Sequence, residues 1–195
     1  MITLEPHIQA LIFDCDGTLA DTMPLHHLAW QETLQAAGKR LPEQIIYELA
    51  GASSDKIAMV INERYGYKLD PHQTAAEKEQ RFLKHITKAR PIAPVVDVAR
   101  RHKGRLPVAV ASGGIRPVVQ SVLAAIGLAD FFEAVVTAED VAHPKPAPDV
   151  FLEAARQLKV APQYCHVFED GDLGLEAARR AGMSATDIRL VARNK

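Results

Sequence analysis

Ala10-Leu11-Ile12-Phe13 runs without a break into Asp14-Cys15-Asp16-Gly17-Thr18-Leu19. Four consecutive apolar residues that stop abruptly at small and acidic ones read as a short strand buried on both faces, the kind found inside parallel sheets. Two other runs end in the same manner, Pro107-Val108-Ala109-Val110-Ala111 into Ser112 and His166-Val167-Phe168 into Glu169-Asp170. Ala134-Val135-Val136 and Ser184-Ala185-Thr186-Asp187-Ile188 are weaker candidates for a fourth and a fifth strand. Between them lie helical patterns: Val118, Val119, Val122, Leu123 and Ile126 closed by Gly127, and Phe151, Leu152, Ala155 and Leu158 opened by Pro148. From about residue 105 onward, strand and helix alternate.

The interval from Met23 to Ala89 breaks that rhythm. It contains only helical stretches, separated by Gly38, Gly51, Gly66 and Pro71. Leu28, Leu34 and Ala37 recur around Trp30, followed by Ile45, Ile46 and Leu49, then Ile57, Val60 and Ile61, then Phe82, Leu83 and Ile86, a pattern suited to a small bundle. The expected organisation is a three-layer α/β core with a parallel sheet, formed by residues 1–22 and 90–195, and a helical cap subdomain, residues 23–89, inserted after the first strand. In such open sheets ligands bind beyond the carboxyl ends of the strands, where the strand order reverses. Asp14, Ser112 and Glu169 all stand at such ends.

Composition narrows the partners. The 195 residues fit one α/β domain and an insert, and 48% hydrophobic residues suffice for a core. Lys plus Arg number 23 against 24 Asp plus Glu, so the net charge of -1 offers no field for nucleic acid or an anionic membrane. Cys15 and Cys165 make no CxxC pair and read as small buried hydrophobes. The opening MITLEPHIQALIF lacks a basic segment and has too short an apolar run for a signal sequence or a membrane span, so the cytoplasm is the expected location and a monomer the expected state.

The chemistry sits in the acidic strand ends. Carboxylates at positions i and i+2, as at Asp14 and Asp16, can project to one side as a strand ends, and Gly17 lets the backbone turn sharply close to a ligand. If Asp14, Asp16, Glu169 and Asp170 converge with Lys145, four carboxylates meet one ammonium at a formal charge of -3. Such crowding forces proton uptake unless a cation intervenes. An all-oxygen donor set favours Mg²⁺ over zinc, which prefers His and Cys. With Mg²⁺ the count falls to -1, and a proton on Asp16 brings it to zero.

The segment Asp14-Cys15-Asp16-Gly17-Thr18-Leu19 resembles the first motif of the haloacid dehalogenase superfamily of phosphotransferases. Ser112-Gly113 is similar to the second motif, Lys145 in His143-Pro144-Lys145-Pro146-Ala147-Pro148-Asp149 to the third, and Glu169-Asp170 to the fourth, in the same order along nearly the whole chain. The resemblance implies that Asp14 attacks phosphorus to give an aspartyl phosphate, and that Asp16 protonates the leaving oxygen and later deprotonates water. It implies Mg²⁺ held by Asp14, Asp16 through its carbonyl, and Asp170, with Glu169 acting directly or through water. Thr18, Ser112, Gly113 and Lys145 would meet the substrate, the last three at the phosphoryl oxygens. A signalling receiver domain also uses a phosphorylated Asp, but has no use for Asp16-Gly17-Thr18 or for so long an insert.

Asp21-Thr22-Met23-Pro24-Leu25-His26-His27-Leu28-Ala29-Trp30 looks like the start of the cap in the β-phosphoglucomutase-like branch, which implies His26 near Asp16. True mutases of that branch carry a Lys before the cap-loop Gly and an Arg three positions after it, to hold a second phosphate. This chain has Ala50 and Ser54 there, although Lys56, Arg64, Arg81 and Lys84 remain as cationic alternatives. The short ending after Asp187-Ile188-Arg189, with Asp97, Gly104 and Gly171-Asp172, resembles phosphatases of fructose 1-phosphate and similar small phosphorylated sugars. Hydrolysis of such a sugar phosphate is the expected reaction, and interconversion of β-glucose 1-phosphate and glucose 6-phosphate by a mutase is the alternative.

Overall fold

A computed structural model of the chain describes residues 4–41 and 44–192. Five short strands form one parallel sheet: β1 (Ala10–Phe13), β2 (Val108–Ala111), β3 (Ala134–Val136), β4 (Cys165–Glu169) and β5 (Ser184–Asp187). Their spatial order is β3-β2-β1-β4-β5, so the winding reverses at β1. The sheet edge beyond the carboxyl ends of β1, β2 and β4 is therefore the crevice in which a ligand is expected.

The period of two along each strand sorts its residues to opposite faces. Leu11 and Phe13 of β1, Val108 and Val110 of β2 and Phe168 of β4 share one apolar cluster. It is completed by the valines of α5 (Ala93–His102) and α6 (Arg116–Ala125). Ala10 and Ile12, Ala109 and Ala111, and Cys165 and Val167 face the other way, against α7 (Asp149–Leu158) and α8 (Asp172–Arg180). Large side chains fill one side and small ones let the helices approach on the other. Cys15 and Cys165 are buried and form no disulfide, in line with their reading as small buried hydrophobes. Ile188 does not prolong β5; it opens the short α9 (Ile188–Ala192).

The cap consists of α1 (Met23–Ala36), α2 (Ile45–Glu48), α3 (Ser54–Tyr65) and α4 (Pro71–His85). Asp70 caps α4 by accepting from Gln73 N at 2.9 Å, with Pro71 in the first turn and Lys84 and His85 in the last, so each end carries its favoured residues. The cap's own core is Trp30, Leu34, Ile45, Ile46, Ile57, Ala58, Val60 and Ile61.

Two details differ from the sequence reading. The buried face of α1 is Leu25, Ala29, Trp30, Thr33 and Leu34, whereas Leu28 is half-buried and Ala37, beyond the helix end, is exposed. Phe82, Leu83 and Ile86, expected in the cap bundle, do not join it, and neither do Leu25 and Ala29. Leu25, Ala29 and Phe82 belong to the apolar cluster of the sheet, with Leu83 and Ile86 packed against it. The roots of α1 and α4 thus rest on the core, and the outer parts of the cap stand on them.

Candidate active site

Register builds the site. Phe13 pairs with Val110 on one side and with Phe168 on the other, so the next residue of each strand, Asp14, Ala111 and Glu169, comes level at a strand spacing of about 4.8 Å. Asp14 N donates to Phe168 O at 3.0 Å, and Ser112 N to Val136 O at 3.0 Å. Past Asp16 the chain turns back, with Gly17 N donating to Ala20 O at 2.8 Å. Gly17 has φ +82, and a Cβ there would lie 2.1 Å from Asp170 Oδ2. Only glycine permits that conformation and that approach together. The Thr18 hydroxyl donates to Asp170 Oδ1 at 2.8 Å and fixes the two loops to each other.

Lys145 lies at the centre, 3% exposed. Its Nζ donates to Asp14 Oδ1 at 2.7 Å, Glu169 Oε2 at 2.7 Å and Ala111 O at 3.3 Å, which uses all three ammonium hydrogens. Glu169 Oε1 accepts from the Asp170 and Gly171 amides at 3.1 and 2.9 Å. One oxygen from each of Asp14, Glu169 and Asp170 lies within 4.8 Å of the others. Burial, and after it the charge of Glu169, holds the Asp14 carboxyl well above the usual carboxylate range, and Lys145 offsets only part of this. The same two causes push Asp170 up to about 7. Burial works against the Lys145 ammonium, but Asp14 and Glu169 outweigh it and raise its pKa. The buried carboxylates of Asp14 and Glu169 and the half-buried one of Asp170 against one ammonium leave an excess of negative charge, and the donors are all oxygen. That chemistry fits a hard divalent cation.

Asp16, two residues from Asp14, lives in the opposite environment. Its Oδ1 accepts from the Thr22 hydroxyl at 2.6 Å and stands 2.9 Å from His26 Nε2, and Lys78 Nζ is 2.7 Å from His26 Nδ1. Burial pushes Asp16 up, but the positive charge and hydrogen bond of His26, the Thr22 hydroxyl and the charge of Lys78 together hold it at about 2. The sequence count put the extra proton on Asp16. That count holds Mg²⁺ in place; without a cation, burial and Glu169 raise Asp14 and Asp170, while His26, Thr22 and Lys78 hold Asp16 low.

The cap closes the other side. A Cβ on Gly113 would lie 2.2 Å from Gly51 O, and one on Gly171 would lie 2.7 Å from Ala50 O, so the cap loop rests directly on the loops after β2 and β4. The cleft between is lined from the core by Asp14, Asp16, Ser112 and Gly113, and from the cap by His26, Trp30, Ala50, Ser54, Lys78 and Glu79 among others. Thr18, Lys145, Glu169 and Asp170 join the site through the contacts given above. Gly113→Ala should fold normally yet hold the cap off the core. We expect kcat/KM in phosphate-release assays to fall about tenfold or more, with the thermal midpoint changed little.

Of the cap cations considered from sequence, none lines the cleft. Lys56 and Lys84 are exposed, Arg64 pairs with Glu48 at 2.6 Å, and Arg81 pairs with Glu77. The cap cation at the site is Lys78, 2% exposed, and sequence reasoning missed it together with Glu79. A signal was present: on α4, positions 78 and 79 stand four and three residues before the buried Phe82, which puts both on the inward face.

The sequence pattern of haloacid dehalogenase-like hydrolases matches residues 8–182. The chain belongs to that family. It is 43% identical over 181 residues to the fructose-1-phosphate phosphatase YqaB of Escherichia coli K12, covering 93% of this chain and 96% of the relative. It is 28% identical to β-phosphoglucomutase of Bacillus subtilis, over 93% and 83% of the two chains. The crystal structure of CbbY from Rhodobacter sphaeroides in complex with phosphate superposes with a TM-score of 0.81 at 27% identity, over 91% of this chain and 84% of that one. This haloacid dehalogenase-like hydrolase therefore stands in the branch of β-phosphoglucomutase and CbbY, and its reaction class is that of the phosphatases. Among its described residues no helix is long and apolar enough to cross a membrane.

Proposed function

We propose that this hydrolase is a Mg²⁺-dependent phosphatase of a small phosphorylated sugar, fructose 1-phosphate or a close analogue, working through a phosphorylated Asp14. The observation that carries the proposal is the contrast between Asp14, packed with Lys145, Glu169 and Asp170, and Asp16, held by Thr22 and His26. Two adjacent carboxyls with separated environments are the arrangement that nucleophile and proton carrier require. The 43% identity to the YqaB phosphatase supports the choice of substrate. We further place the division of the chain at core 1–22 with 90–195 and cap 23–89, and its location in the cytoplasm.

In this reading Asp14 attacks phosphorus, the bond from phosphorus to the ester oxygen breaks, and the departing oxygen takes the proton of Asp16. Water then attacks phosphorus, gives a proton back to Asp16 and releases Asp14. A proton reaches Asp16 for the first step as the dianionic phosphoryl group replaces solvent beside it and raises its affinity for protons. The Ser112 hydroxyl and the Gly113 amide bear on the phosphoryl oxygens and Lys145, whose hydrogens Asp14, Glu169 and Ala111 hold, adds its positive charge beside them, while Thr18 holds Asp170 and His26 orients Asp16. Asp14, Asp170, the Asp16 carbonyl and Glu169 would hold Mg²⁺, which supplies charge neutralisation at the phosphoryl group.

Protons compete with the cation for the same oxygens. Asp170 stands near 7 and Asp14 is raised, so Mg²⁺ affinity should weaken as pH falls through about 7. Titration of the Mg²⁺-dependent rise in thermal midpoint at pH 8 and pH 6 reads this directly, and equal midpoints of binding at both values would contradict it.

The cap favours hydrolysis over a mutase. Among the described residues its cleft-lining basic side chains are His26 and Lys78, and both are engaged, Lys78 with Glu79 at 3.0 Å and His26 with Asp16. Phosphorus NMR with Mg²⁺ on fructose 1-phosphate and β-glucose 1-phosphate distinguishes the two. Inorganic phosphate as the product supports the phosphatase, whereas conversion of β-glucose 1-phosphate to a new ester supports the mutase.

A further inference from the structure

Among the described residues, two buried side-chain nitrogen or oxygen atoms lack a hydrogen-bond partner: Trp30 Nε1 and Glu79 Oε2. Both residues line the cleft, both come from the cap, and they are 0% and 9% exposed. Leaving such atoms unsatisfied is costly, and native proteins seldom do so without a use. The other oxygen of Glu79 is fully occupied. Oε1 accepts from the Ser54 hydroxyl at 2.5 Å and from Lys78 Nζ at 3.0 Å. Lys78 in turn reaches His26, which contacts Asp16, so one chain of contacts links the roof of the cleft to its floor.

The two open atoms ask for opposite things. An ionised carboxylate oxygen only accepts, and an indole N–H only donates. Phosphate and carboxylate oxygens, ionised, cannot satisfy Glu79, and an aliphatic or aryl group satisfies neither atom. A hydroxyl both donates and accepts, so a chain bearing several hydroxyls is the chemistry that completes both. Asp14 and Ser112 line the cleft from the core while Glu79 and Trp30 line it from the cap, so these hydroxyls belong to the part of the substrate remote from phosphorus.

We propose that Glu79 Oε2, with Trp30 Nε1, is the reader of the leaving group and selects polyhydroxylated phosphate esters over esters without hydroxyls. This rests on the reading of the chain as a sugar-phosphate phosphatase and adds the residues that set its selectivity. Glu79 acts on substrate recognition, so its signature is a selectivity ratio and not a uniform loss of rate.

The test compares kcat/KM for fructose 1-phosphate with that for 4-nitrophenyl phosphate, both with Mg²⁺, in the wild type, Glu79→Gln and Trp30→Phe. In Glu79→Gln, Lys78 and Ser54 claim the remaining carbonyl oxygen and the amide NH₂ takes the place of the acceptor. The ratio of sugar ester to aryl ester should fall about tenfold or more in Glu79→Gln, and by a smaller factor in the same direction in Trp30→Phe. A ratio within about twofold of wild type in both variants overturns the proposal, whether the two activities are retained or fall together. Should Glu79→Gln not fold, as circular dichroism would reveal, Trp30→Phe alone decides by its ratio. A wild type that hydrolyses the aryl ester and no sugar phosphate is a distinct result. It would refute the substrate reading itself, and this inference with it.

Discussion

Replacing Asp14 with Asn is expected to abolish phosphate release, by about ten-thousand-fold or more, while making the metal-free protein more stable. Removal of a covalent nucleophile takes away the reaction path itself, and enzymes that lose theirs fall by factors of this size or larger. The stability gain comes from the same geometry. Asp14 is 3% exposed and shares Lys145 with Glu169, and burial and the charge of Glu169 both oppose its ionisation. An amide of the same shape keeps an oxygen for Lys145 and removes one of the crowded charges. Thermal unfolding in a chelating buffer should show a higher midpoint for Asp14→Asn than for the wild type, and added Mg²⁺ should raise the wild type more than the variant. Retention of wild-type turnover would exclude Asp14 as the nucleophile.

Lys145→Met should also remove activity, but in the opposite company: it should destabilise the fold. The ammonium sits between Asp14 and Glu169 at 2.7 Å from each, with both its side chain and that of Glu169 wholly buried. Deleting one partner of such a group leaves charges buried without compensation, a loss of about 3–5 kcal/mol. The sign with pH follows from the directions already present. Asp14 is raised and Asp170 stands near 7 even with the lysine in place, so without it both rise further. A raised carboxyl favours the folded state when protonated. The loss should therefore be greatest above neutral pH and shrink as pH falls and the cluster takes up protons. Denaturant melts of wild type and variant at pH 8 and pH 5.5 measure this, and a difference that grows on acidification would contradict it.

The core was legible because parallel strands buried on both faces leave an unbroken apolar run in the sequence. Ala10–Phe13 and Val108–Ala111 do so throughout and Cys165–Glu169 only at Val167-Phe168, and each ends at a residue of the cluster or beside one. β5, at the edge and half-exposed, left a weaker trace, and its last expected residue opens a helix. The cap was legible as helices but not as packing. The 3.6 period identifies an apolar stripe without saying what it meets, so nothing local in Leu25, Ala29 or Phe82 assigns them to the sheet's cluster and Ile57 or Ile61 to the cap's own. Lys78 and Glu79 were hidden for a related reason. A charged pair in a helix of mean polar character reads as a solvated face until Phe82 anchors the inward direction.

The most direct measurement is to quench the protein in acid during turnover of fructose 1-phosphate with Mg²⁺, digest it and map the peptides by mass spectrometry. Covalent catalysis by Asp14 requires one phosphoryl group on the peptide that carries Asp14, absent when the substrate is withheld and absent from Asp14→Asn. Steady phosphate release with no phosphorylated Asp14 at any quench time, and with Asp14→Asn still active, would contradict it.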